Sequence, residues 1–359
     1  MKVLTIGSAT QDVIIEYQEN ALMLANPSRT TWQEGSKIEV KKLHRVSGGG
    51  ATNSAASFTL LGFQTTACFK IGNDSTGQSV LKELADLSVT THHSVSSSKE
   101  TGASFIIPTP GKDRVIFAHH GANITLKKED IPLESFGFYN CLYITSLSGK
   151  TADFLPTIAH TAQQRILSRG IKVAVNPGIN QLTHNAVALK AALPSIDVLI
   201  MNADEMKLFM ISLKPRFFRS TGKGIIPEGP ELLNTTISYE KISFTLYEYF
   251  AEILSYGVKR IVVTDGKHGV YVATKDMLYF HPAAQVTSVN TLGAGDAFGS
   301  CFVASLLQGK KLEDAIRCGI INAGSVIMHH GAKVGLLSLS KLGQSLESLN
   351  KKLLQIFPI

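Results

Sequence analysis

The sequence predicts an α/β fold with a mostly parallel central sheet flanked by helices and a small separate β layer. Three observations carry this. Short β-branched runs alternate with helical periods over much of the 359 residues, which is the rhythm of parallel α/β proteins. Several of those runs are apolar throughout, as strands are when helices cover both faces of a sheet. Two stretches, Lys37–Arg45 and Ala103–Ala118, break the rhythm and read as extended pieces of an antiparallel layer, with Thr109-Pro110-Gly111-Lys112 as a hairpin turn.

Taken in order, Val3–Ile6, Ala67–Ile71, Cys141–Ile144, Val173–Val175, Val198–Met201 and Ile261–Val263 read as strands. Helical periods fall at Ala51–Leu61, Gln78–Leu87, Thr157–Ser168, Phe244–Ser255, Ala294–Leu307 and Leu312–His329. Between Ile211 and Tyr239 the pattern fails. Pro215, Gly222, Gly224, Pro227, Gly229 and Pro230 punctuate a basic stretch with few apolar residues, which reads as a surface insertion.

Composition narrows the class. At 44% hydrophobic and 18% charged residues the chain falls outside disordered and collagenous compositions and can bury a sizeable core. Cys68, Cys141, Cys301 and Cys318 lie far apart in mostly apolar surroundings, so reduced core thiols are expected rather than a zinc site. The apolar opening is too short for a signal peptide, and no run reaches about 18 uncharged apolar residues, the closest, Leu292–Gln308, being interrupted by Asp296. A cytoplasmic protein without a membrane span is therefore expected. The net charge of +7 is scattered rather than gathered into a stripe, which argues against nucleic acid and fits a phosphate-bearing small ligand.

The most informative string runs from Asn290 through Thr291-Leu292-Gly293-Ala294-Gly295-Asp296 into a helical period. Its glycines let backbone approach a ligand, and the amides that open the helix are donors at the positive end of its dipole. Asp296 in the first turn can cap the helix or take a proton from an attacking hydroxyl. Thr264-Asp265-Gly266-Lys267-His268-Gly269 is either a glycine hairpin or backbone wrapped around a nucleotide. Asn202-Ala203-Asp204-Glu205 follows a strand and is either a helix cap or a site where Glu205 holds hydrated Mg²⁺ beside phosphate. Gly48-Gly49-Gly50-Ala51-Thr52-Asn53 opens a helix and can hug a hydroxylated substrate, and Asp12 offers two acceptor oxygens to paired hydroxyls.

Together these strings resemble the ribokinase-like, phosphofructokinase-B carbohydrate kinase family, in the family's order from Ile6 to about Gly335. They are the GSxxxD start, the GGxxxN turn, Ile71-Gly72-Asn73-Asp74-Ser75-Thr76-Gly77, the NxxE site, the TxGxxG turn and GAGD. The resemblance implies a single ribokinase-like α/β domain over 1–359, a β lid from about 13–46 and 95–120, and an unexplained insertion at about 211–239. It implies ATP as donor, Mg²⁺ as cofactor, Asp296 as base, and an anion hole from Gly293, Ala294, Gly295 and Asp296. Asp12, Gly48, Gly49 and Asn53 are then substrate contacts. Asn202 and Glu205 organise phosphate and metal, with Glu205 reaching Mg²⁺ through water. Thr264, Gly266 and Gly269 line the nucleotide, and Asn322 and Gly331 lie near adenine. Gly121-Ala122-Asn123 also resembles a sugar-kinase segment.

Asn290 replaces the aspartate that several members place at a monovalent-cation site, which weighs against potassium activation. Sugar is the expected acceptor, with a nucleoside as the alternative to which Trp32 and Phe217-Phe218 would lend stacking surfaces. An NAD(P)-dependent oxidoreductase lacks its GxGxxG after the first strand, and a non-catalytic binder is opposed by the intact Asp296. The doublets His92-His93, His119-His120 and His329-His330 read as surface or packing residues. Relatives dimerise through the lid, so a homodimer is the partner the resemblance allows.

Overall fold

Six apolar runs become neighbouring parallel strands because each is covered on both sides. In the computed structural model they lie in the order Gln64–Gly72, Lys2–Ile6, Cys141–Ile144, Val173–Val175, Val198–Asn202, Arg260–Thr264. The structure describes residues 1–359 except 18–22, 27–28, 32–33, 109–113, 214–217 and 349–350. The expected turn at Thr109–Lys112, Trp32 and Phe217 thus lie outside the described residues. Among the described residues the main sheet has ten strands. Thr90–Ser96 extends it in parallel on one edge, and Val270–Ala273, Met277–His281 and Gln355–Pro358 extend it antiparallel on the other.

Alternation along each strand divides the core in two. Leu4, Leu142, Leu199 and Met201 pack on one face with Ile158, Phe209 and Phe250, from the helices Leu155–Arg165, Ala203–Leu213 and Leu246–Ser255. Val3, Tyr143, Val198 and Ile200 pack on the other with Phe58, Phe302 and Ile316, from Gly50–Leu60, Ala294–Leu307 and Leu312–Ile327. Each such large apolar side chain stabilises the fold by about 1.5–3 kcal/mol relative to exposure. All four cysteines are buried free thiols. No helix among the described residues is long and apolar enough to cross a membrane.

The chain order reverses between Lys2–Ile6 and Cys141–Ile144, and the two loops leaving those strands diverge to open a crevice, where open α/β sheets bind ligands. Beside it stands a second, four-stranded sheet in the order Val40–Gly48, Thr10–Tyr17, Gly102–Pro108, Arg114–His119. It is not wholly antiparallel as the sequence suggests, because Thr10–Tyr17 runs parallel to Gly102–Pro108. Asp74 caps the helix Ser75–Asp86 through Gly77 N (2.7 Å) and holds Thr101 N (2.7 Å), docking the entry to this sheet on the main body.

The segment expected as a surface insertion behaves differently. Ile211, Ser212 and Leu213 complete the helix Ala203–Leu213, and its described remainder buries Leu232, Leu233 and Ile237 in the core. Leu232 N donates to Tyr271 Oη (3.2 Å). Three apolar side chains scattered among prolines and glycines escape a periodicity test yet suffice to anchor the stretch.

The helix Ala294–Leu307 lies so close to the sheet that a Cβ on Gly299 would stand 2.3 Å from Tyr143 Oη and 3.1 Å from Ile200 Cδ1. Gly299→Ala is therefore expected to destabilise the fold by about 1–3 kcal/mol through overpacking, read as a lower urea midpoint. An unchanged midpoint would show that Tyr143 gives way freely.

Candidate active site

Asp12 lies on the face of the small sheet that it shares with Ser104 and Ala118 across the ladder, turned toward the crevice. It is 4% exposed, and Thr10 Oγ1 donates to its Oδ1 (3.2 Å). Burial pushes its carboxyl up, opposed by hydrogen bonding from Thr10 and by the charge of Lys333. Gly48 has to be glycine, since a Cβ there would sit 2.0 Å from Asp12 Oδ2.

Two helices begin at the crevice. Gly50–Leu60 carries Asn53, whose Nδ2 donates to Asp296 Oδ2 (2.9 Å). The amide oxygen Asn53 Oδ1 is buried without a hydrogen-bond partner among the described residues. The helix Ala294–Leu307 begins after Gly293 at φ 75°, a left-handed turn in which a side chain would also strike Ala332. Its first i→i−4 bond runs from Ala297 N to Gly293 O (2.8 Å), which leaves the amides of Gly295 and Asp296 ahead of the helical ladder. Burial pushes the Asp296 carboxyl up to about 6, with the Asn53 bond and Lys333 pulling it down and Asp12 adding to the rise.

Asn202 and Glu205 cap the helix Ala203–Leu213 reciprocally. Asn202 Oδ1 accepts from Glu205 N (2.8 Å), and Glu205 Oε2 accepts from Asn202 N (2.9 Å). Burial pushes the Glu205 carboxyl up to about 7, and Asp296 and Asp204 repel its charge further.

Three cavities run in series along the carboxyl ends of the strands. The first, of 500 Å³, is lined by Thr264, Gly266, Gly269, Val286, Phe298 and Ile327 among others. The second, of 280 Å³, is lined by Asn202, Glu205, Arg114, Gly293, Gly295 and Asp296 among others. The third, of 230 Å³, includes Ser8, Asp12, Gly49, Asn53, His119 and Asp296. Gly295 lines the first two, and Gly293 and Asp296 line the last two.

The strings read from the sequence thus converge, with exceptions. Ala294 lines the first cavity, and Gly48 stands behind Asp12. Asn322 and Gly331 do not line the first cavity. Asn322 is fully enclosed, donating to Ala297 O (3.0 Å) and accepting from Leu337 N (3.0 Å), while Gly331 packs on Val46. Their helix neighbours Ile320, Ala323 and Ile327 face the cavity instead. Phe218 packs against the core, not the site. His119 and His120, read as surface or packing residues, line the third cavity. Asn123 fastens the small sheet by donating to Ala9 O (2.9 Å). Asn290 spans its loop, donating to His329 O (2.6 Å) and accepting from Leu292 N (2.7 Å).

Sequence reasoning missed two cations. Arg114, on the small sheet, donates to Thr291 Oγ1 and lines the second cavity. Lys333 lies behind the two glycine turns. Neither belongs to a motif, though Lys333 is a lone cation in the mostly apolar run Gly331–Leu337.

A half-buried carboxylate beside a helix start, on the wall between two cavities, is the arrangement expected of an enzyme that transfers a group between two ligands. The description "pfkB family carbohydrate kinase" matches residues 1–338, and the chain belongs to that family. It is an ATP-dependent carbohydrate kinase, a phosphotransferase with an alcohol group as acceptor. The ribokinase of Staphylococcus aureus (strain COL) is 24% identical over 346 residues, covering 96% of this chain and 99% of that protein. The crystal structure of Arabidopsis thaliana ribokinase with ribose and ATP matches with a TM-score of 0.70 at 20% identity, covering 96% of this chain and 98% of that one. The Methanocaldococcus jannaschii nucleoside kinase matches with a TM-score of 0.68 at 18% identity, covering 97% and 98%. These likenesses establish the ribokinase-like fold.

An aspartate raised from 3.8 to about 6 contributes stability that is complete below about pH 4 and is lost as the pH rises through about 6. Asp296→Asn removes that loss. The variant is expected to match the parent near pH 4 and to exceed it by about 3 kcal/mol at pH 8, as read from thermal unfolding at both pH values. A difference independent of pH would refute the burial account.

Proposed function

We propose that the chain transfers the terminal phosphoryl group of ATP to a sugar hydroxyl, with Asp296 accepting the hydroxyl proton. The observation that carries this is the place of Asp296 on the wall shared by the second and third cavities. A sugar in the third cavity meets acceptors, Asp12 and Asn53 Oδ1, that suit hydroxyl donors. Its hydroxyl oxygen bonds to the γ-phosphorus, the bond to the bridging oxygen of ADP breaks, and the proton passes to Asp296. A carboxyl near 6 is ionised at neutral pH and still basic enough for this role. The amides of Gly295 and Asp296 and the helix dipole offset the charge on the transferring group. Thr264, Gly266 and Gly269 bring backbone to the nucleotide, while Val286, Phe298 and Ile327 give its base an apolar wall.

The second cavity fits Mg²⁺ that keeps most of its water. It offers the Glu205 carboxylate beside Asn202, and no cluster of three or more ligating side chains exists among the described residues. When bound, the ion neutralises phosphate charge, and Glu205 gains the countercharge it lacks. With Asn290 donating to the His329 carbonyl, turnover is proposed not to need potassium. A sugar is favoured over a nucleoside because the third cavity offers polar acceptors and, among the described residues, no Trp, Phe or Tyr lines it.

ADP release across pentoses, hexoses, sugar acids, sugar phosphates and nucleosides tests the reading. Asp296→Asn should lower turnover by about 10²–10⁴-fold, and Glu205→Gln should raise the Mg²⁺ needed for half-maximal rate. Unchanged turnover in Asp296→Asn would remove it from its role, and activity confined to nucleosides would replace the sugar.

The small sheet is proposed as a lid over the third cavity within one domain, and as the contact between two copies. Its outer face pairs Phe105, 46% exposed, with Phe117, 52% exposed, and adds Leu43 and Val115. Such an apolar patch marks an interaction surface. Light scattering should find a dimer, and a monomer after Phe117→Glu; a monomeric parent would sink the proposal.

A further inference from the structure

The mechanism leaves a buried cation beside the site without a role. Lys333 stands in the loop after the helix Leu312–Ile327, and its side chain is 8% exposed. An ammonium so enclosed needs partners. It donates to Ser47 O (2.8 Å) and to Ser47 Oγ, and it pairs with Glu83 Oε1 (3.5 Å). Glu83 Oε2 in turn accepts from Ser47 N (3.1 Å). Lys333, Glu83 and Ser47 thus close a ring that ties the post-helix loop, the helix Ser75–Asp86 and the end of the strand Val40–Gly48.

That ring sits between the two glycine turns. On one side Ser47 leads into Gly48, whose backbone lies against the Asp12 carboxylate. On the other, Ala332 is the residue that Gly293 packs on. The charge acts on both site carboxylates, since Lys333 attracts Asp12 and Asp296 as well as Glu83. The other charged groups facing Asp296 are Asp12 from the small sheet and Glu205 from the helix Ala203–Leu213, with Arg114 on the same cavity.

We propose that Lys333 is a positioning residue: its ammonium locks the acceptor turn at Gly48 against the anion turn at Gly293 and supplies the shared countercharge for Asp12 and Asp296. This rests on Asp296 being the base. The pH dependence of kcat/KM, together with ¹³C NMR titration of labelled aspartate carboxyls, tests it in the parent, Lys333→Met and Glu83→Gln. Lys333→Met should move the acid limb and the Asp296 titration up by about one pH unit, roughly a tenfold loss of rate below the limb. The rate should recover at high pH, with a raised KM for the acceptor and little change in KM for ATP. Glu83→Gln cuts the same ring but leaves the ammonium unneutralised, so both readouts should move down.

A limb and a carboxyl titration unmoved in Lys333→Met, with only a lower Tm, would reduce Lys333 to a fastener and overturn the proposal. If Lys333→Met does not fold, the Asp296 titration in Glu83→Gln decides: a downward move supports the proposal, and no move or an upward one overturns it. An Asp296→Asn variant that still turns over sinks the base assignment itself. An inactive Asp296→Asn with an unmoved limb in Lys333→Met sinks only the role given to Lys333.

Discussion

Asp12 and Asp296 line one small cavity, and the arrangement of the whole site follows from keeping two negative charges there. Burial lifts both carboxyls and each repels the other. What holds them is spread over distant parts of the chain: the Asn53 amide on Asp296, the Thr10 hydroxyl on Asp12, and the Lys333 ammonium behind both. The starts of two helices, Gly50–Leu60 and Ala294–Leu307, add their positive ends at the same point. Remove the close approach of these elements and neither acid stays charged where it is needed.

The order of strands explains the order of cavities. Because the sheet turns direction between Lys2–Ile6 and Cys141–Ile144, the loops that leave its carboxyl ends face one another across a crevice rather than lying in line. Loops flanking the antiparallel strands on one side border the first cavity, the small sheet on the other roofs the third, and the turn at Gly293 stands between. A polar, hydroxyl-accepting end and an apolar, glycine-walled end on one crevice suit two chemically different ligands.

Much of this was legible in the sequence because the signals are local. Cys141–Ile144 and Val173–Val175 are apolar in four and three consecutive residues, and Ala294–Leu307 keeps a helical period. The glycine strings mark turns that no other residue can make. What the sequence hid is long-range. Asn53 meets Asp296 across 243 positions, and nothing in the sequence pairs the two. Asn322 carried the right residue type but turns away from the cavity, because one helical step separates a lining residue from a packed one, and Gly331 lies beyond the helix against Val46. The stretch from Ile211 to Tyr239 reads as surface because its three buried side chains follow no period. Arg114 and Lys333 gave no warning, since a single charge becomes meaningful only when folding brings it to a carboxylate or a backbone oxygen.

The carboxylate of Asp12 fills the space in which any side chain at position 48 would have to lie. A side chain at position 48 would therefore have to push the carboxylate out of its place. Ser104, Ala118 and His119, on the roofing strands, border the same cavity without such a constraint. Acceptor preference can thus drift through the roof while the chemistry beneath stays intact, which gives one scaffold a route to many sugars.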